Sequence, residues 1–214
     1  MKILIIGTGS QEEVQQKLGS AHQYQLVRDH GEAGLFLNAS EVVFDFMIAG
    51  HPAGIGIYKG HSSPVFLDTS TISLKQLGIV DHTNFFGFCG MPTFFDREIL
   101  EVSLLNNDQA AVLKNICDSL NTKFAVVADR VGLVTPRVIC MIINEAYYTL
   151  EEGTAIREDI DQAMRLGTNY PYGPFEWCDR IGKENVCRLL TAVFADTKDD
   201  RYKTCLELVR LSRL

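Results

Sequence analysis

The sequence predicts an α/β domain over residues 1–129, built on a small and largely parallel sheet, followed by an all-α domain over residues 130–214. Three observations carry that prediction. The chain opens with an apolar run, a pair of glycines, a helix-compatible stretch and a second apolar run, which is the order of a βαβ nucleotide-binding unit. Further short apolar runs recur at 39–47, 63–67 and 124–128, with the lengths of buried strands rather than helices. Beyond residues 129–132 the apolar spacing changes from period 2 to period 3.6.

With 214 residues the chain can bury two small cores or one large one. The net charge of −7 is spread over interspersed acids and bases. There is no basic stripe for nucleic acid and no polybasic patch for a membrane surface. No apolar run approaches the roughly 20 residues that span a bilayer. The opening MKILIIG ends its apolar run without a small-residue cleavage site, so it reads as a first buried strand rather than a signal peptide. Six cysteines are widely spaced, with no CxxC and no paired Cys/His spacing. The expectation is reduced thiols in a cytoplasmic protein, with neither a disulfide framework nor a metal site.

In chain order, residues 2–6 form the first strand and run into Gly7-Thr8-Gly9. Gly7 permits the tight turn, and Gly9 lets a pyrophosphate approach backbone N–H groups at the start of the helix over 12–18. The second strand, 24–27, ends in Arg28-Asp29. Asp29 is placed to accept hydrogen bonds from the ribose diol of NAD. Aligned one residue earlier, Arg28 takes that position, which favours a 2′-phosphate or no nucleotide at all. The third position of G-x-G-x-x-G is Glu12, and Glu12 and Glu13 would repel a phosphate. The unit is therefore a reduced Rossmann-like scaffold with Gly7, Gly9 and Asp29 as candidate NAD contacts, or a scaffold in which the glycines serve only as a turn.

Residues 31–38 bridge to the strand over 39–47, and the segment HPAGIGIYKGH (51–61) is expected to be a flexible surface turn. Its two histidines lack a third ligand by spacing. The strand over 63–67 delivers Asp68-Thr69-Ser70-Thr71 to its carboxyl end, where open α/β sheets place ligands. Thr71 or Ser73 is expected to cap a helix running through Leu77. A helix over 108–120, with Ala111, Val112, Ile116 and Leu120 at helical spacing, precedes the last strand.

In the second half, Thr135 is expected as an N-cap with Pro136 at the first helical position. That helix runs to about residue 152, with Val138, Ile139, Ile142, Ile143, Ala146 and Leu150 as its apolar face. Helices at 157–166, 174–181, 183–194 and 202–211 follow. Between the first two of these lies LGTNYPYGPFEWCD (166–179). Gly167 ends one helix, Pro174 starts the next, and Tyr170, Phe175 and Trp177 are expected to pack the corner.

The run EDIDQAMRLG followed by YPYGPFEWCD, within residues 158–179, resembles the carboxy-terminal domain of the 3-hydroxyacyl-CoA dehydrogenase family. The resemblance implies a Rossmann-like domain followed by a helical domain of the 6-phosphogluconate dehydrogenase type. It implies NAD-dependent oxidation of 3-hydroxyacyl-CoA thioesters in fatty-acid metabolism, an acyl-CoA-type ligand, and a homodimer formed through the carboxy-terminal helices. On the family pattern Ser70 matches a serine whose hydroxyl meets the substrate. Glu101 matches the glutamate that orients the catalytic imidazole, and Cys89 stands where that imidazole belongs. Imidazole suits a general base because it titrates near neutrality. A thiol beside a carboxylate is a poorer one, because the neighbouring charge disfavours the thiolate. His82, seven residues upstream, is the other candidate base. The family's substrate-binding asparagine falls on Pro136, which has no side-chain donor, and several tens of residues found in the family after the second strand are missing. Two functions follow: a 3-hydroxyacyl-CoA dehydrogenase with a substituted base, or a non-catalytic dimer that binds an acyl-CoA or a nucleotide in a regulatory role.

Overall fold

The structure, a computed structural model, describes residues 1–7, 11–79 and 84–212. The chain divides into two units: Met1–Gly90 with Phe94–Leu133, and Met91–Thr93 with Val134–Leu214.

The first unit runs β1 (Lys2–Ile6), α1 (Gln11–Leu18), β2 (Gln23–Val27), α2 (His30–Ala33), β3 (Val42–Asp45), β4 (Val65–Asp68), β5 (Phe85–Phe88), β6 (Ile99–Leu104), α3 (Gln109–Ser119) and β7 (Lys123–Ala128). All seven strands join one sheet in the order β2-β1-β3-β4-β5-β6-β7. Strands β1 to β5 are parallel, while β6 runs antiparallel to β5 and parallel to β7. The fold class read from the sequence therefore stands: a reduced, largely parallel Rossmann-like sheet. The chain steps outward from β1 to β2 and then returns to the other side of β1 with β3. The carboxyl end of β1 is thus a topological switch point.

Strands covered on both faces read as continuous apolar runs, and alternation then divides them between two cores. Ile3 and Ile5 join Phe44, Phe66, Phe86 and Phe88 on one face, under Val14 and Leu18 of α1 and Leu113 and Ile116 of α3. Phe44 stacks on Phe66 with ring centroids 4.8 Å apart. Fully burying each such ring is worth about 1.5–3 kcal/mol. Leu4 and Ile6 face the other way, with Val43, Val65 and Leu67.

That second face is covered by short pieces rather than long helices, and here two expectations fail. Residues 51–61 are not a loose turn: Pro52–Tyr58 is a 3₁₀-helix whose Tyr58 is buried in the core. Among the described residues no helix lies between β4 and β5. Instead Ser73 and Gln76 form a reciprocal capping box, with Gln76 N–H donating to Ser73 Oγ at 3.1 Å and Ser73 N–H to Gln76 Oε1 at 2.9 Å. The single turn it starts goes no further. Asp129 accepts from the backbone of Leu74 and Lys75 at 2.9 and 3.0 Å, tying the turn to the end of β7.

The second unit consists of α4 (Thr135–Glu151), α5 (Arg157–Thr168), α6 (Pro174–Ile181), α7 (Lys183–Thr197), a 3₁₀ turn at Asp200–Tyr202 and α8 (Leu206–Leu211). Thr135 is the first helical residue and not the cap; Val134 takes that position without a side-chain bond. The α4 face that reaches the core is Pro136, Ile139, Cys140, Ile143 and Tyr147, whereas Val138 is exposed. Buried Asn144 donates to Lys203 O and accepts from Cys205 N–H, both at 2.8 Å, which clamps the segment before α8 onto α4. Helix α5 continues past Gly167 to Thr168, and Asn169 supplies the left-handed cap at φ 55°. In the corner, Tyr172 rather than the half-exposed Tyr170 meets Trp177, edge to face at 5.0 Å. Phe175 packs on Tyr147 at 4.9 Å.

Candidate functional site

The carboxyl edge of the parallel strands gathers most of the residues singled out from the sequence. Along it lie Asp29 after β2, Gly7 after β1, Asp45 at the end of β3 and Asp68 at the end of β4. Each of the three carboxylates binds backbone N–H groups, which is how a short acidic side chain steadies a turn.

Asp68 Oδ1 accepts from Ser70 N–H at 3.0 Å and from Gly90 N–H at 2.9 Å. One carboxylate therefore fixes both the turn carrying Ser70 and the turn carrying Cys89. Ser70 is buried, and its Oγ has no hydrogen-bond partner among the described residues. An unmet buried hydroxyl costs about 1–3 kcal/mol. Cys89 is also buried. Gly87 of β5 pairs with Ser103 of β6 in antiparallel register. Carrying that register two residues outward brings Cys89 opposite Glu101, which is half-buried. Ser70, Cys89 and Glu101 thus gather around the ends of β4 and β5 and the first half of β6. His82 lies outside the described residues.

Gly7 adopts φ 134° and donates its N–H to Val27 O at 3.0 Å. Gly9 lies outside the described residues. Asp29 Oδ1 accepts from Glu32 N–H at 2.9 Å and is the N-cap of α2. Asp45 was missed at the level of sequence. It is fully buried, with Oδ1 accepting from Met47 N–H at 2.9 Å and Ile48 N–H at 3.0 Å. Oδ2 accepts from Tyr58 OH and pairs with His30 Nε2, each at 2.8 Å. The bond to Asp45 raises the His30 pKa above its usual value against the opposing effect of burial. Burial, then the Asp45 charge, pushes the Tyr58 phenol far above the ordinary range. The repeated Asp at the ends of successive strands was the available signal for Asp45. Nothing in the sequence links His30 to Tyr58, because only the fold brings their segments together.

NAD, which the fold family implies, can be tested against this edge. Doubly wound sheets place a further strand beyond β2 to complete the adenosine side, and here β2 is the edge strand. Asp29, the candidate ribose acceptor, caps α2 with one of its oxygens. Glu12 and Glu13 occupy the first turn of α1, where a pyrophosphate would meet like charge. The Asp45 cluster lies over the switch point. The described residues do not fit a dinucleotide.

In the second unit Pro136 is buried in the first turn of α4, and Arg137 lies over the ring of Tyr202 at 5.6 Å. None of the six cysteines forms a disulfide. Burial pushes Cys117 up to about 12 and Cys178 up to about 11, which favours the thiol over the thiolate. Among the described residues no group of His, Cys, Asp and Glu could hold a metal ion, and no helix is long and apolar enough to cross a membrane. A depression of about 930 Å³, lined by Lys17, Asp96, Glu98, Asp118 and Lys123, lies by the first residues of β6 and β7. It contains none of the candidate residues.

Residues 132–214 match the family model for the 3-hydroxyacyl-CoA dehydrogenase C-terminal domain. The chain is 44% identical over 79 residues to 3-hydroxyadipyl-CoA dehydrogenase of Escherichia coli K12, covering 37% of this chain and 17% of that protein. It is 32% identical over 148 residues to 3-hydroxybutyryl-CoA dehydrogenase of Bradyrhizobium diazoefficiens, covering 67% of this chain and 50% of that one. The chain thus spans at most about half the length of these curated relatives. The solved (S)-3-hydroxybutyryl-CoA dehydrogenase of Ralstonia eutropha superposes with a TM-score of 0.77 at 19% identity, covering 99% of this chain and 93% of that one, which is a likeness of fold. With the signature over 158–179 and the domain matched over 132–214, the helical half of the chain belongs to the 3-hydroxyacyl-CoA dehydrogenase family.

Proposed function

We propose that this protein binds an acyl-CoA-type thioester on the 3-hydroxyacyl-CoA dehydrogenase scaffold without carrying out NAD-dependent hydride transfer. The observation that carries the thioester is Ser70: a buried hydroxyl without a partner among the described residues, at the carboxyl end of a central strand. A thioester carbonyl would satisfy that donor once the side chains covering it part. Against hydride transfer stands Cys89, just past the end of β5, whose Gly87 pairs with Ser103 two residues from Glu101. If the family's base belongs at that position, Glu101 has a thiol to face instead of an imidazole, and losing a general base costs about 10²–10⁴ in rate. Pro136 likewise offers no donor for a substrate.

A second reading, an active 3-hydroxyacyl-CoA dehydrogenase, is favoured by the joint presence of Ser70 and Glu101 at one edge. Two measurements separate the readings. Calorimetry should show acetoacetyl-CoA binding, weakened about tenfold or ~1.4 kcal/mol in Ser70→Ala. Mixing NADH with acetoacetyl-CoA should give no turnover above the Cys89→Ala variant. NADH consumption well above that variant establishes the dehydrogenase, and absence of thioester binding removes the first reading.

Self-association through the helical unit belongs to the same proposal. A largely apolar groove of about 460 Å³ runs between α4 and α5, lined by Ile142, Ala146, Ile160, Ala163 and Met164. Val138, Ile156 and Leu166 on the same two helices or just before α5 are exposed. A second copy of the chain would cover them.

A further inference from the structure

The position of the Asp45 cluster follows from strand order. His30 is the first residue of α2, three residues after β2 ends, and Asp45 is the last residue of β3. Strand β1 lies between β2 and β3 in the sheet. The 2.8 Å contact between His30 Nε2 and Asp45 Oδ2 therefore reaches across the carboxyl end of β1, the switch point itself. Tyr58 adds the third member from a separate segment and bonds the same carboxylate oxygen at 2.8 Å.

The surroundings hold this arrangement from both sides. Gly54 of the Pro52–Tyr58 helix lies directly against the His30 imidazole, so close that a Cβ at residue 54 would collide with the ring. On the sheet side, a Cβ at Gly7 would meet Phe46 Cβ at 3.2 Å and Met47 Cγ at 3.4 Å. The Asp45 oxygens have four protein donors or partners at 2.8–3.0 Å. A carboxylate accommodates about four such bonds, so this one has little capacity left for a ligand. The charged and titratable groups facing His30 are Asp45 and Asp29, with Tyr58 sharing the Asp45 oxygen.

We infer that the His30–Asp45–Tyr58 bridge, with the Pro52–Tyr58 helix seated on it, is a built-in closure that fills the switch-point crevice with the chain's own side chains and excludes a dinucleotide. This goes beyond the thioester reading, which concerns β4 to β6, and it fails separately from it. The closure also accounts for the ordered 3₁₀-helix in a segment rich in glycine. Its conformation is imposed by Tyr58 at one end and the His30 ring beneath Gly54.

The test uses the full chain. Calorimetric titration with NADH and with ADP-ribose should show no binding at ligand concentrations up to about 1 mM, and neither compound should raise the unfolding temperature. Binding of either with a Kd below about 100 µM overturns the inference, whether or not turnover accompanies it. Amide hydrogen exchange tests the closure without any ligand. In Tyr58→Phe, which keeps the ring and removes only the hydroxyl, exchange at Met47 and Ile48 should accelerate at least tenfold relative to wild type. Unchanged protection at those amides, in a variant with an unchanged circular dichroism spectrum, also overturns it. Should Tyr58→Phe fold poorly, His30→Gln provides the same readout. Loss of thioester binding with NADH still excluded would remove the proposed function and leave the closure standing.

Discussion

His30 and His61 have opposite surroundings within one unit. The bond to Asp45 holds His30 above the usual imidazole range, while burial pulls His61 below it. An NMR titration should therefore place the His30 midpoint above 6.5 and that of His61 below it, with His30→Gln and His61→Gln assigning the signals. The sign for stability follows from linkage. Because the His30 pKa is raised on folding, its stabilising contribution is complete below about pH 6.5 and is lost as pH rises through its folded value. Coincident midpoints would show that Asp45 does not hold His30 in solution. Ser70 was legible in the sequence as a candidate because it sits just past a strand end. Its lack of a partner was not, since that depends on what the neighbouring turns leave unsatisfied. Cys89 and Glu101 stand twelve residues apart in sequence, and only the antiparallel return of β6, which pairs Ser103 with Gly87, brings their segments side by side.

At the scale of elements, the corner over 166–179 shows what its conspicuous sequence does physically. Gly173 precedes Pro174 and offers no side chain to cap α6. Asp161 of α5 does so instead, accepting from Phe175 N–H at 2.8 Å and Glu176 N–H at 3.2 Å. The acidic run at the start of α5 and the Gly-Pro-Phe-Glu at the start of α6 are thus two halves of one capping arrangement. Arg157 adds an ion pair to Asp179 at 2.5 Å and lies over the ring of Phe175 at 4.9 Å. Asp161→Ala should destabilise the chain by about 0.5–2 kcal/mol in urea unfolding, whereas Asp159→Ala, on the same helix but without that role, should lie within about 0.5 kcal/mol of wild type. Equal effects would refute the capping role. Helix α4 shows the limit of pattern reading in the same unit. Its spacing located the helix, but α4 carries apolar residues on more than one face, so periodicity did not determine which of them enter the core. Val138 stays exposed while Tyr147 is buried.

At the scale of the whole molecule, the exposed apolar surface of α4 and α5 bears on assembly. Apolar grooves flanked by exposed apolar side chains are candidates for interaction surfaces. Sedimentation velocity should show a dimer at micromolar concentrations, and Ile156→Glu with Leu166→Glu should shift it to monomer without altering the circular dichroism spectrum. A wild-type monomer at all concentrations would exclude the arrangement. The carboxyl edge of the sheet is the other feature that only the assembled fold presents. Three aspartates at or just past the ends of β2, β3 and β4, each turned onto backbone N–H groups, make an edge whose acids mainly hold the chain's own turns.

The sequence by itself determined the parallel sheet, the helical second half, the family, and the candidacy of Ser70, Cys89 and Glu101. These properties are local: runs of apolar residues, turn chemistry and short motifs read along the chain. The tertiary structure decided that Pro52–Tyr58 is an ordered helix, that the turn after β4 stops after its capping box, and that Asp29 caps α2. It alone brought His30, Asp45 and Tyr58 together across β1. The reason is that a hydrogen bond between side chains far apart in sequence leaves no periodic trace; it depends on which strands become neighbours.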